Sequence, residues 1–181
     1  THGRDGLSRH LVGSVAEKVV RLSSVPVLTV RMRPDERLVF PYERLLVPTD
    51  GSPAAENAAD RTLALAAALD ATVHVLSVVD DSVLGPDVRS TIAGAESERI
   101  ATEAVERVVA TADARGVETV THVEHGDPVE TIHDRVDDDD LHAVGMGTTG
   151  RRGTDRILLG SVAERTVRTA PVPVLTVANA E

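Results

Sequence analysis

The chain alternates short apolar runs with longer helix-patterned stretches, and that alternation restricts its fold more than any other feature. Arg44 to Pro48 is a short apolar run suited to a buried strand. Ser52 then offers an N-cap, Pro53 suits the first helical position and Glu56 lies in the first turn, so Ala54 to Leu69 reads as an alanine-rich helix. Thr72 to Val79 is a β-branched strand. Arg89 to Arg115 carries Ile92, Ile100, Ala104, Val108 and Ala112 at helical spacing, and Gly116 stops it. Thr119 to Val123 is a third strand, and Asp127-Pro128 caps a short helix ending near Val136. Leu141 to Gly147 is a fourth strand, Ser161 to Thr169 a helix and Val172 to Val177 a fifth strand. Strands joined in this way by helices imply right-handed crossovers and an open, five-stranded parallel sheet with helices on both faces. The nearly unbroken apolarity of the strands agrees with burial on both sides. In such sheets, ligands sit beyond the carboxyl ends of the strands, where the strand order reverses.

A second feature is internal repetition. Gly147-x2-Gly150-x9-Gly160-Ser161 runs through Val162-Ala163-Glu164 to Val172-Pro173-Val174-Leu175-Thr176-Val177. The chain opens with the tail of the same pattern: Gly3, Gly13-Ser14, Val15-Ala16-Glu17, then Val25-Pro26-Val27-Leu28-Thr29-Val30. At a constant offset of 147, 19 of the first 30 residues are identical. Residues 1–31 therefore read as the C-terminal part of a first copy, 32–42 as a linker broken by two prolines, and 43–178 as a complete domain. The partial copy has no first strand and no counterpart of Asp50, so it cannot build a site of its own. With no initial methionine, it reads as a truncated tandem protein, a clipped product or an incomplete reading of the gene. Its pattern Val15, Val19, Val20, Leu22 predicts ordered packing, as does Leu38 to Tyr42 at the end of the linker.

Composition removes several functions. The net charge is −10, with 29 acidic residues against 19 basic ones, and the only lysine is Lys18. Basicity carried almost wholly by arginine, with abundant Asp, suits a salt-rich cytoplasm; a GC-biased genome would leave the same trace. The acidic surface opposes contact with a phosphate backbone, and Phe40 and Tyr42 are the only aromatics for base stacking, so nucleic acid is not an expected partner. No apolar run is long enough to span a membrane, and no export pattern opens the chain, so the expectation is a cytoplasmic protein. There is no cysteine for disulfide or thiol chemistry.

The glycines from Gly147 to Gly160 join a strand end to a helix start, where backbone can approach a ligand closely and free N–H groups favour phosphate. They could equally form a turn that ends the strand and permits tight packing. Asp50 lies at the same carboxyl edge; it could accept hydrogen bonds from a ligand, or belong to the turn before the Ser52 cap. Arg151, Arg152 and Arg156 could neutralise phosphate, although solvated loop arginines are the plainer reading. Asp137 to Asp140 puts four carboxylates in a row, but consecutive acids in a loop rarely converge on one ion. The seven histidines show no trusted ligand spacing, and His122 and His125 read as surface residues. No metal ligand and no nucleophile–base pair is assigned.

Taken together, the glycine pattern, the Val-Pro-Val-Leu-Thr-Val ending and the upstream Leu46-Val47-Pro48-Thr49-Asp50-Gly51-Ser52 resemble the universal stress protein family, in its nucleotide-binding branch. The resemblance covers residues 43–178 in full and 1–31 in part. It implies a Rossmann-like fold of the adenine nucleotide alpha hydrolase type, and ATP or a related adenine nucleotide as ligand, with Mg²⁺ a possible companion. The backbone around Gly150, Gly160, Ser161 and Val162 would hold the phosphates, with the Ser161 hydroxyl adding a contact. Met146 and Gly147 would line the nucleoside, Asp50 would bind the adenosine moiety flanked by Pro48 and Thr49, and Val78 would offer main chain to the adenine edge. The implied role is a stress-linked sensor or adaptor, acting as a homodimer or an intramolecular pseudo-dimer through residues 25–30 and 172–177. Its rivals are a slow ATPase or a phosphotransferase using Ser161, and an assembly module indifferent to nucleotide.

Overall fold

The computed structural model describes residues 14–34, 36–80, 88–149 and 159–178. Five parallel strands form as expected: β2 (Arg44–Pro48), β3 (Thr72–Val79), β4 (Thr119–His125), β5 (Ala143–Gly147) and β6 (Val174–Val177). A sixth, β1 (Val27–Thr29), joins the edge antiparallel to β6, giving the order β1-β6-β5-β2-β3-β4. The helices are α1 (Ser14–Leu22), α2 (Pro53–Leu69), α3 (Val88–Asp113), α4 (Pro128–Asp138) and α5 (Ser161–Thr169). One core layer joins α2 and α3 to the sheet through Leu45, Val47, Leu63, Val73, Val75 and Val108. The other joins α4 and α5 through Leu46, Leu76, Ile132, Val144, Val167 and Val174. Leu45, Leu46 and Val47 are all buried, which is why β2 reads as an unbroken apolar run rather than an alternating one.

Local chemistry sets the element ends. The Ser52 hydroxyl accepts the Ala55 N–H and Pro53 takes the first helical position, so α2 starts where the cap dictates. It stops at Asp70, which adopts a left-handed φ of 55°. Asp127 caps α4 by accepting from the N–H groups of Val129 and Glu130. The Glu130 N–H, then the Arg165 guanidinium, hold the Asp127 carboxyl below the usual carboxylate range. Asp127→Ala is expected to cost about 1 kcal/mol at neutral pH. Because the folded-state pKa is the lower one, this advantage is complete above the unfolded carboxylate value near 4 and fades as pH falls through the folded value. Urea midpoints of the two proteins should therefore converge in acid.

The described part of the N-terminal segment packs more narrowly than its pattern predicts. Val20 is buried against α5, but Val19 and Leu22 are exposed, and the Val15 side chain lies outside the described residues. Only residues 27–29 and 174–177 form strand, less than 25–30 and 172–177, because Pro26 and Pro173 have no N–H for a ladder. Of Leu38 to Tyr42, Tyr42 alone is buried; Leu38, Val39 and Phe40 face outward. This segment is held by polar contacts instead. The Arg37 N–H donates to the Pro171 carbonyl (2.7 Å), and its guanidinium reaches the Val136 carbonyl (3.0 Å) and Asp137 (3.1 Å).

The β1–β6 pairing is centred on Leu28 opposite Leu175, with Val27 opposite Thr176 and Thr29 opposite Val174. At the 147 offset Leu28 and Leu175 are equivalent, so the two strands meet about a local twofold. On α5, Thr166 is fully buried, and its hydroxyl has no hydrogen-bond partner among the described residues. The equivalent residue at that offset is Val19. Thr166→Val is expected to stabilise the protein by about 1 kcal/mol, read as a raised denaturation midpoint, because it removes an unpaid hydroxyl desolvation.

Candidate functional site

The strand order reverses between β2 and β5, which lie side by side with Leu45 opposite Ala143 and Leu46 opposite Val144. Continuing that register brings Pro48 level with Met146 at the carboxyl edge. Pro48, Thr49 and Asp50 leave the end of β2, Val78 lies near the end of β3, and Met146 and Gly147 close β5. The chain from β5 to α5 returns to the same edge, where the Gly160 N–H donates to the Thr148 carbonyl at 2.7 Å. Gly160 thus stands beside the end of β5, with Ser161 and Val162 following it into α5. Gly150, Arg151, Arg152 and Arg156 lie outside the described residues.

The β2–α2 turn is tightly organised. Thr49 is buried; its N–H donates to the Leu76 carbonyl (2.8 Å), and its hydroxyl accepts the Gly51 N–H (3.1 Å). The Asp50 Oδ1 accepts the Ser52 N–H at 3.0 Å, and Gly51 takes the positive φ that completes the turn. Asp50 therefore serves the turn that the sequence offered as one of its two roles. Gly147 also has a packing role: a Cβ there would lie 2.8 Å from the Ala54 carbonyl carbon and oxygen, so α2 could not ride this close over β5.

The start of α5 differs from those of α2 and α4. Its N-cap is Gly160, extended at φ −62° and ψ 150°, and among the described residues no side chain caps it. The Glu164 N–H already bonds the Gly160 carbonyl (2.8 Å), so the N–H groups before it in the first turn, at Ser161, Val162 and Ala163, are the ones left outside the helix ladder. They carry the positive end of the helix dipole at the edge where Asp50 emerges. Ser161 is exposed and Val162 half-buried.

One group of residues was missed by sequence reasoning. His122 is not a surface residue: it sits beside buried His74 on the sheet face beneath α4, and Asp139 closes the group. His125 is exposed, as its position at the end of β4 allows. The four aspartates diverge, Asp137 to Arg37, Asp138 to Arg135, Asp139 to Arg135 and His74, and Asp140 to Arg44. Only strand register and the end of α4 could have revealed the His74–His122–Asp139 group, because the three are far apart in sequence.

An open parallel α/β sheet with a glycine-started helix at its switch point defines a Rossmann-like protein of the UspA type. The sequence matches the Universal stress protein family over residues 1–31 and 41–178, and the chain belongs to that family. It is 37% identical over 143 residues to universal stress protein MJ0531 of Methanocaldococcus jannaschii, a match covering 75% of this chain and 82% of the relative. Among solved structures it is similar to UspA from Lactobacillus plantarum, with a TM-score of 0.67 and 25% identity over 75% of this chain and 97% of that one. A universal stress protein from Archaeoglobus fulgidus DSM 4304 matches 93% of this chain and 55% of its own, with a TM-score of 0.63 and 25% identity. Among the described residues, no helix is long and apolar enough to cross a membrane.

Proposed function

We propose that the chain binds an adenine nucleotide, ATP foremost, at the carboxyl edge between β2 and β5, and acts in a stress response as a ligand-stabilised sensor or adaptor. The observation that carries this reading is the uncapped start of α5, fastened by the Gly160–Thr148 hydrogen bond beside the Asp50 turn. Free N–H groups at such a start suit phosphate, and a family member of this fold has been solved in complex with cAMP. In this reading Gly150, Gly160, Ser161 and Val162 hold phosphates, with or without Mg²⁺. Pro48, Thr49, Asp50, Val78, Met146 and Gly147 surround the nucleoside. Residues 1–31 are the end of a first repeat whose last strand completes a pseudo-dimer within one chain, and the match of 93% of this chain to part of a longer family member supports that division. The acid-rich, lysine-poor surface suits a salt-rich cytoplasm.

The second reading is an assembly module without nucleotide. It is favoured by Asp50 already serving its own turn and by Gly147 being required for packing. Denaturing protein purified in high potassium chloride, then identifying released nucleotide by chromatography and mass spectrometry, separates the two. Near-stoichiometric ATP or ADP, sharply reduced in Asp50→Ala, supports binding, and the ATP to ADP ratio reports any hydrolysis. An empty protein whose melting temperature ignores ATP and Mg²⁺ sinks it.

A further inference from the structure

We propose that His74, His122 and Asp139 form a binding site for one divalent transition ion of the zinc class, at the edge of the sheet and away from the nucleotide edge. The strands create the pair. His74 lies opposite Val120 and His122 opposite Leu76, which makes the two histidines diagonal neighbours on one face of β3 and β4. That face is covered by α4, whose C-terminal residue after the last turn is Asp139.

The donor atoms converge. His74 Nδ1 and His122 Nε2 are 3.1 Å apart, and Asp139 Oδ2 is 3.4 Å from the first and 3.8 Å from the second. The point equidistant from all three lies about 2.0 Å from each, matching zinc–imidazole and zinc–carboxylate bonds of about 2.0–2.2 Å. Two imidazoles and one carboxylate make a donor set suited to zinc, cobalt or nickel rather than calcium or magnesium. His122 and Asp139 are partly exposed at the sheet edge, which leaves a route in and room for water as a further ligand.

The surroundings favour a cation there. The C-terminal end of α4 points its partial negative charge at the group. Glu124 lies 3.9 Å from the other ring nitrogen of His122, placed to orient it; the Arg135 guanidinium contacts the same Asp139 Oδ2 at 3.3 Å, so an ion has to share or take over that oxygen. Burial lowers the His74 pKa, which keeps that ring neutral and able to ligate.

In the ion-free protein the ring planes lie within 13° of parallel, with centroids 5.3 Å apart. That separation is nearly the most a 3.1 Å nitrogen contact allows, so the two nitrogens face each other and share one proton. An entering ion takes that proton's place as the partly buried His122 ring turns toward Asp139, and the proton moves to the far nitrogen of one of the two rings.

The test uses the full chain, free of any histidine tag and stripped with chelator. Co²⁺ is titrated by visible absorption, then displaced by Zn²⁺, with calorimetry for stoichiometry. One tightly bound ion per chain is expected, with affinity reduced at least about tenfold in His122→Ala and in Asp139→Asn, and unchanged in His125→Gln. Circular dichroism confirms that both variants fold, and neither touches the nucleotide edge. Absence of binding at large ion excess overturns the proposal, and so does binding that survives both substitutions.

Discussion

Gly147→Ala is expected to destabilise the protein by about 2–3 kcal/mol, measured as a drop in the urea midpoint in high potassium chloride. The added methyl would lie 2.8 Å from the Ala54 carbonyl carbon and oxygen and 3.1 Å from its Cβ. No rotamer relieves contact with backbone, so the first turn of α2 has to move. That turn is fixed by the Ser52 cap and leads directly from Asp50, so nucleotide retention should fall with stability. Gly94→Ala supplies the contrast. It lies inside α3 with nothing within 4 Å of a new Cβ, and should stabilise by about 0.5–1 kcal/mol through reduced unfolded-state entropy. A Gly147→Ala protein as stable as the parent would mean that α2 does not rest on β5 as described.

Removing residues 1–32 should raise self-association strongly, read by light scattering after size exclusion. Without β1, the ladder edge of β6 loses its partner, and the α5 surface that Val20 covers becomes exposed. An open edge beside new apolar surface recruits another strand. The neighbouring edge in a second molecule is the same strand, and β6 can copy the antiparallel register because Leu175 is equivalent to Leu28. Unchanged mass at concentrations where the parent is also unchanged would argue that β1 covers nothing competent to pair. Substituting Arg for Leu175 in the shortened chain should reverse the association.

Much of this architecture was legible because local and global signals agree. The apolar run Leu45 to Val47, the Ser52-Pro53 and Asp127-Pro128 caps and the glycine before α5 each fix an element by short-range chemistry. The sequence readings failed where the outcome depended on what neighbours do. Pro26 and Pro173 trimmed β1 and β6, which an apolar run alone does not reveal. Leu38 to Phe40 looked like core by composition, yet Arg37 anchors that segment by its backbone and guanidinium and leaves them outside. Gly147 was legible as a special position, but its contact with Ala54 becomes visible only once α2 is laid across β5. His122 read as surface because its own strand shows no ligand spacing, and only pairing with β3 and the packing of α4 over that face of β4 bring it to His74 and Asp139.

Because the strand that pairs with β6 is carried on the same chain, its docking does not weaken on dilution. A separate partner bound at the same edge would be lost once its concentration fell below its dissociation constant. A tethered one is present at an effective concentration on the order of millimolar, whatever the amount of protein in the cell. Any outside strand seeking that edge must outcompete this built-in occupant, so exchange between molecules would be slow and confined to conditions that first loosen the tether.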